Sequence, residues 1–399
     1  MKLGEINNNL REFHVWDLPE YIRIYLNDND RKNLFCHILK QTKTIRNLTK
    51  LIQTKTSKKI SFETVRCYIT GAYYIPLWFL NKIIDLFFND SFYFKLEKEI
   101  TAFRGPRGDA IHNPNFPWRE DKRVIRIVIR LIGDGHGGGE ISKGRVPVYS
   151  NSCKELTKQF IYDLNFFGKV KVRRYTLDEG KRCSSIEFPK ALGHILKHLY
   201  KIDFRGKYAR LSDKIYSLPK DIVIEAIKVY GDDEGSMKGT EIHFYSENKN
   251  LLQDFIKLFR LKLPEFTAIT NVRISSIKQG KFITYYFAVL ANDLVKYFKL
   301  IGFNHPIKQR KLMHQINCQN KIKKSRYNGI TKNMILESLI NHPKTSYKIA
   351  EKVLINHRTV NKHINGYSDK GRYFKGLKEI GLVRPFSKSS NGILWGLTK

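Results

Sequence analysis

One stretch of this chain is written twice. "IRLIGDGHGG" (129–138) returns as "IKVYGDDEGS" (227–236). Aligned on the acid–glycine step, Asp134 matches Glu234, 100 residues further on. Downstream, "VYSNSCKELTKQFI" (148–161) matches "FYSENKNLLQDFIK" (244–257), and Gly180-Lys181 matches Gly280-Lys281. Each copy closes on an amphipathic helix, near 190–200 and 291–302. A repeat of this length is a structural unit used twice. Period-2 runs such as "TEIHFYS" (240–246) and helical runs such as "NKNLLQDFIKLF" (248–259) give the unit as helix–strands–helix–strands–helix.

The repeat decides between two readings of "LIGDGHGGG" (131–139). Gly133, Gly135 and Gly138 fit G-x-G-x-x-G, the spacing of a phosphate-cradling loop. The second copy drops that spacing and keeps an acid before a glycine. A dinucleotide fold also opens a helix directly after its glycines, whereas strand-like "KGRVPVYS" follows here. The acids are the better reading. Two carboxylates on equivalent elements of two halves can meet at a pseudo-twofold axis, and acidic oxygens with water suit Mg²⁺. Metal-assisted phosphodiester hydrolysis is chemistry that such a pair can serve.

"IVIRLIGDG" (127–135) and "IKVYGDDEG" (227–235) resemble the two signature motifs of a single-chain LAGLIDADG homing endonuclease. "YSENKNLLQDFIKLF" (245–259) and "LVKYFKLIGFNHPIKQRKL" (294–312) resemble the family's flanks, and the likeness spans roughly 121–316. The resemblance implies an α+β fold, a pseudo-twofold pair of αββαββα half-domains with the motif helices (about 122–133 and 221–232) side by side. It implies Asp134 and Glu234 as metal ligands and catalytic residues, two antiparallel sheets lying along the DNA major groove, and cleavage of both strands with short 3′ overhangs. It also implies an auxiliary lysine, for which Lys181 and Lys281 are the candidates because both sit in repeat-equivalent turns. The chain departs from the family at the small residues of the motif helices. Val128 and Ile129 stand there in one copy, Lys228 and Val229 in the other, with Arg130 inside the first motif. These bear on how closely the helices pack.

Charge points to the same partner. Lys and Arg number 72 against 37 Asp and Glu, a net +35 over 399 residues, which suits a polyanion such as double-stranded DNA. A lysine-rich thermophile surface would add glutamate in step. With 42% hydrophobic and 13% aromatic residues, the chain has enough for real cores. The longest apolar run, "AYYIPLWFLNKIIDLFF" (72–88), is broken by Pro76, Lys82 and Asp85, so no membrane span is expected. "MKLGEINNNLREF" does not read as a signal peptide. Cys36, Cys67, Cys153, Cys183 and Cys318 are scattered, which fits a reducing cytoplasm and neither a disulfide framework nor a zinc cluster. His194 and His198 have metal-pair spacing but no third ligand.

The flanks differ from the centre. Residues 1–96 read as a helical, helix-turn-helix-like domain. Ser61 begins a box-like helix start and Gly71 is a helix stop. Residues 97–120, rich in Gly, Pro and Asn, read as a linker. The halves follow at 121–220 and 221–316. Residues 317–399 read as a winged-helix-like domain: three short helices, then a hairpin from "FKGLKEIGLV" (374–383) and "GILWGL" (392–397). Residues 321–399 carry 17 Lys/Arg against 4 Asp/Glu.

Candidate DNA contacts are Lys169, Lys171, Arg173, Arg174, Lys181 and Arg182 in the first half, and Arg273, Lys278 and Lys281 in the second. Asn271, Ser275, Thr284 and Tyr286 could add to them. Thr64, Arg66 and Tyr68 in the N-terminal module, and His357, Arg358, Asn361 and Lys362 behind an Asn356 cap, are further candidates. His136 is a weaker candidate for water or phosphate. The expected protein is a monomeric, Mg²⁺-dependent, site-specific double-strand DNA endonuclease. Its rivals are a non-cleaving DNA-binding regulator of the same descent and an RNA-binding splicing cofactor.

Overall fold

The segment expected to be a linker is where sequence and structure part most clearly. In the computed structural model, which describes residues 10–138, 146–176, 183–278, 282–325, 330–353, 355–369, 372–389 and 392–398, residues 97–120 hold three strands. Ile100–Arg104 pairs antiparallel with Arg23–Leu26, Ile111–His112 pairs with Ile100–Arg104, and Trp118–Arg119 pairs with Glu12–Phe13. Ile100, Ala102, Phe103, Ile111 and Trp118 are buried. The Gly and Pro residues occupy the turns between strands too short to show a period.

The N-terminal region is accordingly not purely helical. Five helices (Asp28–Thr42, Ile45–Thr56, Phe62–Thr70, Leu77–Phe87 and Ser91–Lys98) accompany a five-stranded sheet. Its order is Ile75–Pro76, Arg23–Leu26, Ile100–Arg104, Ile111–His112, Lys169–Val170. The expected Ser61 cap forms: its hydroxyl accepts the Thr64 amide at 3.1 Å, and Gly71 ends that helix at φ +80°. Lys169 belongs to this sheet. The run 169–177, read as one DNA-facing strand, is thus broken between two sheets.

By its contacts the chain forms two compact units, one of residues 1–235, 244–265 and 271–287, the other of 236–243, 266–270 and 288–399. The repeat appears as a repeated element order. The first copy runs helix Lys122–Ile132, strands Gly135–His136 and Val148–Asn151, helix Lys154–Leu164, strands Arg173–Thr176 and Ser184–Glu187, helix Lys190–Tyr200. The second runs Lys220–Glu234, Gly235–Lys238, Glu241–Ser246, Lys249–Lys262, Arg273–Lys278, Phe282–Val289, Leu294–Leu300. Numbering strands within each copy, both sheets have the order 1-2-4-3. The fold is mixed α+β.

The second unit also contains helices Pro306–Ser325, Ile330–Leu339, Ser346–Val353 and His357–Asn365. The expected boundary at 316/317 falls inside the first of these. The last two pack on Trp395 and Val383 through Ile349, Val353, Val360 and Ile364. A three-stranded sheet runs in the order Lys344–Thr345, Gly392–Leu397, Val383–Ser389. The final hairpin therefore starts only at Val383, the last residue of the run 374–383, because Gly381 turns the chain at φ +75° first.

Candidate active site at the end of a helix pair

The first motif helix, "KRVIRIVIRLI" (Lys122–Ile132), is rich in β-branched residues and would suit a strand by propensity alone. Two things make it a helix. Asp121 caps it, accepting the amides of Arg123 at 2.8 Å and Val124 at 3.3 Å. Burial does the rest: Val124, Ile125, Ile127, Val128, Ile129, Leu131 and Ile132 are all core residues. The second motif helix, Lys220–Glu234, starts after Pro219.

The two helices run parallel and in register. Lys122 meets Asp221 at 3.3 Å near their N-termini. Midway, Arg126 reaches Glu225 at 3.2 Å while its guanidinium also grips Asp163 at 2.6 and 2.8 Å. At the C-terminal ends, a Cβ added to Gly133 would sit 3.2 Å from Asp233 Cβ. Gly133 is thus a point of close approach between the two helices. Val128, Ile129 and Val229 remain fully buried alongside, and Lys228 pairs with Glu225 at 3.7 Å.

The first helix stops at Ile132 and the second runs through Glu234, but both lead into an acid–glycine step. The next glycine, Gly135 or Gly235, begins a strand folded back on the helix. A Cβ there would lie 2.5 Å from the Arg130 carbonyl oxygen or 2.4 Å from the Gly231 carbonyl oxygen, so no side chain fits without a backbone shift. This presents Asp134 exposed and Glu234 half-buried, immediately before the turn.

The acid joined to Asp134 is Asp233, next to Glu234. The Asn151 amide donates to Asp134 Oδ2 at 2.8 Å and to Asp233 Oδ1 at 3.3 Å. The Tyr149 hydroxyl donates to Asp233 Oδ1 at 2.9 Å and accepts from Arg130 Nη1 at 2.6 Å. Arg130 Nη2 donates to Gln159 at 2.7 Å. The side chains of Arg130 and Asp233 are fully buried, with Nη1 and Oδ1 3.9 Å apart. Burial, with added repulsion from Asp134 and Asp232, pushes the Asp233 carboxyl well above the usual range against the pull of Arg130. Burial opposes the charge on Arg130, but Tyr149, Asp233 and Asp232 outweigh it and raise its pKa.

The donor set at this end is oxygen only, which suits a hard divalent cation. Among the described residues no group of three His, Cys, Asp or Glu could hold a metal ion. A cation held by Asp134 and Glu234 would therefore complete its shell with water or phosphate oxygens, as Mg²⁺ commonly does.

The other candidates are placed variously. Lys181, Arg182 and Lys281 lie outside the described residues, as does the side chain of Lys278, whose backbone ends strand Arg273–Lys278. Lys171 and Arg173 both pair with Asp109, at 3.7 and 3.6 Å. Arg174 and Arg273 are exposed on their strands. Strand 273–278 does not alternate cleanly, because the register shifts between Ile274 and Ser276; Ile274 and Ile277 are exposed with Arg273 and Ser275. Asn271 accepts from Arg260 at 3.1 Å.

Arg66 is exposed and near Glu63, but Tyr68 is a core residue against Phe79, not a contact position. Arg358 and Lys362 are exposed and Asn361 half-buried on helix His357–Asn365, whose Asn356 caps the Arg358 amide at 2.8 Å. His136 Nδ1 accepts the Gly138 amide at 2.9 Å, closing its own turn. His194 packs edge-on to Tyr21. Sequence reasoning missed Asp233, Asn151 and Tyr149. The doubled acid of "GDDEG" was the available signal.

No family model matches the chain, and no curated protein matches it. Among solved structures, I-DmoI in complex with DNA and Ca is 15% identical, covering 48% of this chain and 97% of its own, with a TM-score of 0.34. The homing endonuclease I-WcaI bound to its DNA recognition sequence is 12% identical over 48% of this chain and 86% of its own, TM-score 0.33. Full-length DUF199/WhiA from Thermatoga maritima is 12% identical over 62% of this chain and 90% of its own, TM-score 0.34. Likenesses this loose assign the chain neither a family nor an activity.

Proposed function

We propose that the chain is a site-specific double-strand DNA endonuclease that hydrolyses phosphodiesters with Mg²⁺, acting as a monomer through two pseudo-twofold-related halves. The observation that supports this reading is the in-register helix pair, each helix leading into an acid, a glycine and a strand. It delivers Asp134 and Glu234 to one end of one pair, where each can meet solvent. These two would hold the cation, which when bound would stabilise charge developing on the phosphate oxygens. Arg173, Arg174 and Arg273 would hold phosphates or guanine edges. Arg66 on a helix-turn-helix-like module, and Arg358, Asn361 and Lys362 on a winged-helix-like one, would extend the contact. The net charge of +35 would draw the duplex in.

The test is to incubate the protein with Mg²⁺ and genomic DNA and to sequence the new ends. Cuts at a reproducible site, lost in Asp134→Asn and in Glu234→Gln, are expected. Tight, specific binding without cuts in Mg²⁺ or Mn²⁺ would replace this reading with a non-cleaving DNA-binding regulator.

A further inference from the structure

We infer that Arg130, Tyr149 and Asp233 are positioning residues for Asp134: a buried relay that fixes the exposed carboxylate from its interior side. The inference rests on the reading of Asp134 as a metal ligand.

The relay is continuous. Gln159 accepts from Arg130 at 2.7 Å, Arg130 donates to Tyr149 at 2.6 Å, and Tyr149 donates to Asp233 at 2.9 Å. Asn151 ties Asp233 and Asp134 together through one amide nitrogen, at 3.3 and 2.8 Å. The links come from four elements: Arg130 on the first motif helix, Tyr149 and Asn151 on strand Val148–Asn151, Gln159 on the helix after it, Asp233 on the second motif helix. A side chain held from four elements has little rotameric freedom left. Asp134 follows the helix, so its orientation depends on what its own oxygens touch, and Asn151 is a contact made from the buried side. The surroundings of a ligating carboxylate set its orientation and affinity.

The second copy keeps the tyrosine, as Tyr245 in the place of Tyr149, but not its partners. Tyr230 stands where the first copy has Arg130, and Glu247 where it has Asn151. Without the guanidinium and the amide, the second copy cannot form this same relay.

The experiment is Mn²⁺ binding by the full-length chain, followed by electron paramagnetic resonance in a Glu234→Gln background. That substitution isolates the Asp134 side and needs no turnover. Asp134→Asn is the control and should abolish the remaining binding. Tyr149→Phe and Asn151→Ala should each weaken it by about 10- to 100-fold. Tyr149→Phe leaves the bond from the Cys153 amide to Asn151 untouched, at 2.8 Å, whereas Asn151→Ala removes it. Weakening in Asn151→Ala alone would assign the effect to that turn and overturn the relay, as would no weakening in either. Should Tyr149→Phe fail to fold, Arg130→Met/Tyr149→Phe/Asp233→Leu removes cation, hydroxyl and carboxyl together and carries the same expectation. If Asp134→Asn leaves Mn²⁺ bound, the metal reading has failed and the inference falls with it. Weakening in both variants together with an inactive wild-type chain would leave the relay standing and the nuclease reading refuted.

Discussion

The two motif helices each lead into an acid–glycine step and a strand, but over different interiors. Behind the first, a buried guanidinium, a phenol and a carboxyl are linked by hydrogen bonds between 2.6 and 2.9 Å. Behind the second, Tyr230 stacks on Phe255 with centroids 3.8 Å apart, and Phe244 stacks on Phe287 at 4.7 Å. An acid–glycine turn can thus be carried by a polar network or by an aromatic stack. What both copies keep is the backbone: a glycine packed against the preceding helix turn. A polar network fixes orientation at the cost of burying charge, while an aromatic stack gains area and tolerates small displacements.

Four measurements can break or sharpen that contrast. The largest effect is expected from Arg130→Ala, which leaves Asp233 and Tyr149 buried without their cation. Urea unfolding should show a loss of about 3–5 kcal/mol; a loss below about 1 kcal/mol would mean that the network carries no charge worth the name. Next come Gly135→Ala and Gly235→Ala. Each forces a methyl onto a carbonyl oxygen, so each should cost about 1–3 kcal/mol, and the two should agree. Unequal costs would show that the shared backbone frame is not shared energetically.

Third, Tyr149→Phe should cost about 1–3 kcal/mol because a buried donor and acceptor lose their partner, while Tyr230→Phe, which keeps the stacked ring, should cost about 1 kcal/mol or less. Equal costs would erase the distinction between network and stack. The smallest effect concerns pH. Burial, then Lys197 and Lys190, lowers the pKa of His194 below its ordinary 6.5, so the fold favours the neutral ring. Its contribution is complete above the unfolded value and is lost as pH falls through that range. The matching helix of the second copy, Leu294–Leu300, has no histidine. Melting curves from pH 7 to 5 should therefore flatten in His194→Gln; an unchanged slope would remove His194 as a source of acid sensitivity.

Much of this was legible in the sequence because a 100-residue repeat leaves two samples of every important position. The acid–glycine steps, the strand following each, and the helix order all come from that comparison. The strands in 97–120 were not legible: at two to five residues, they are shorter than the window in which alternation can be told from chance. Asp233 was hidden for another reason. Alignment on Glu234 pairs it with Gly133, and only the folded chain shows these two touching across the helix pair. Asn151 was invisible because its importance lies in reaching two acids from different helices, which no spacing along one strand encodes. Tyr68 looked available because helical position does not say which face is covered.

The ion pairs along the helix seam also make the halves non-interchangeable. Each places its cation on the first helix and its acid on the second: Lys122 with Asp221, Arg126 with Glu225. Two first helices set against each other in this register would bring Arg126 towards Arg126, and two second helices would bring Glu225 towards Glu225. Like charges facing across the seam repel and favour the unlike partner, more at the shielded Arg126–Glu225 position than at the exposed Lys122–Asp221 one. The seam is therefore a lock with two different faces. The molecule's handed asymmetry is written in the polarity of two salt bridges.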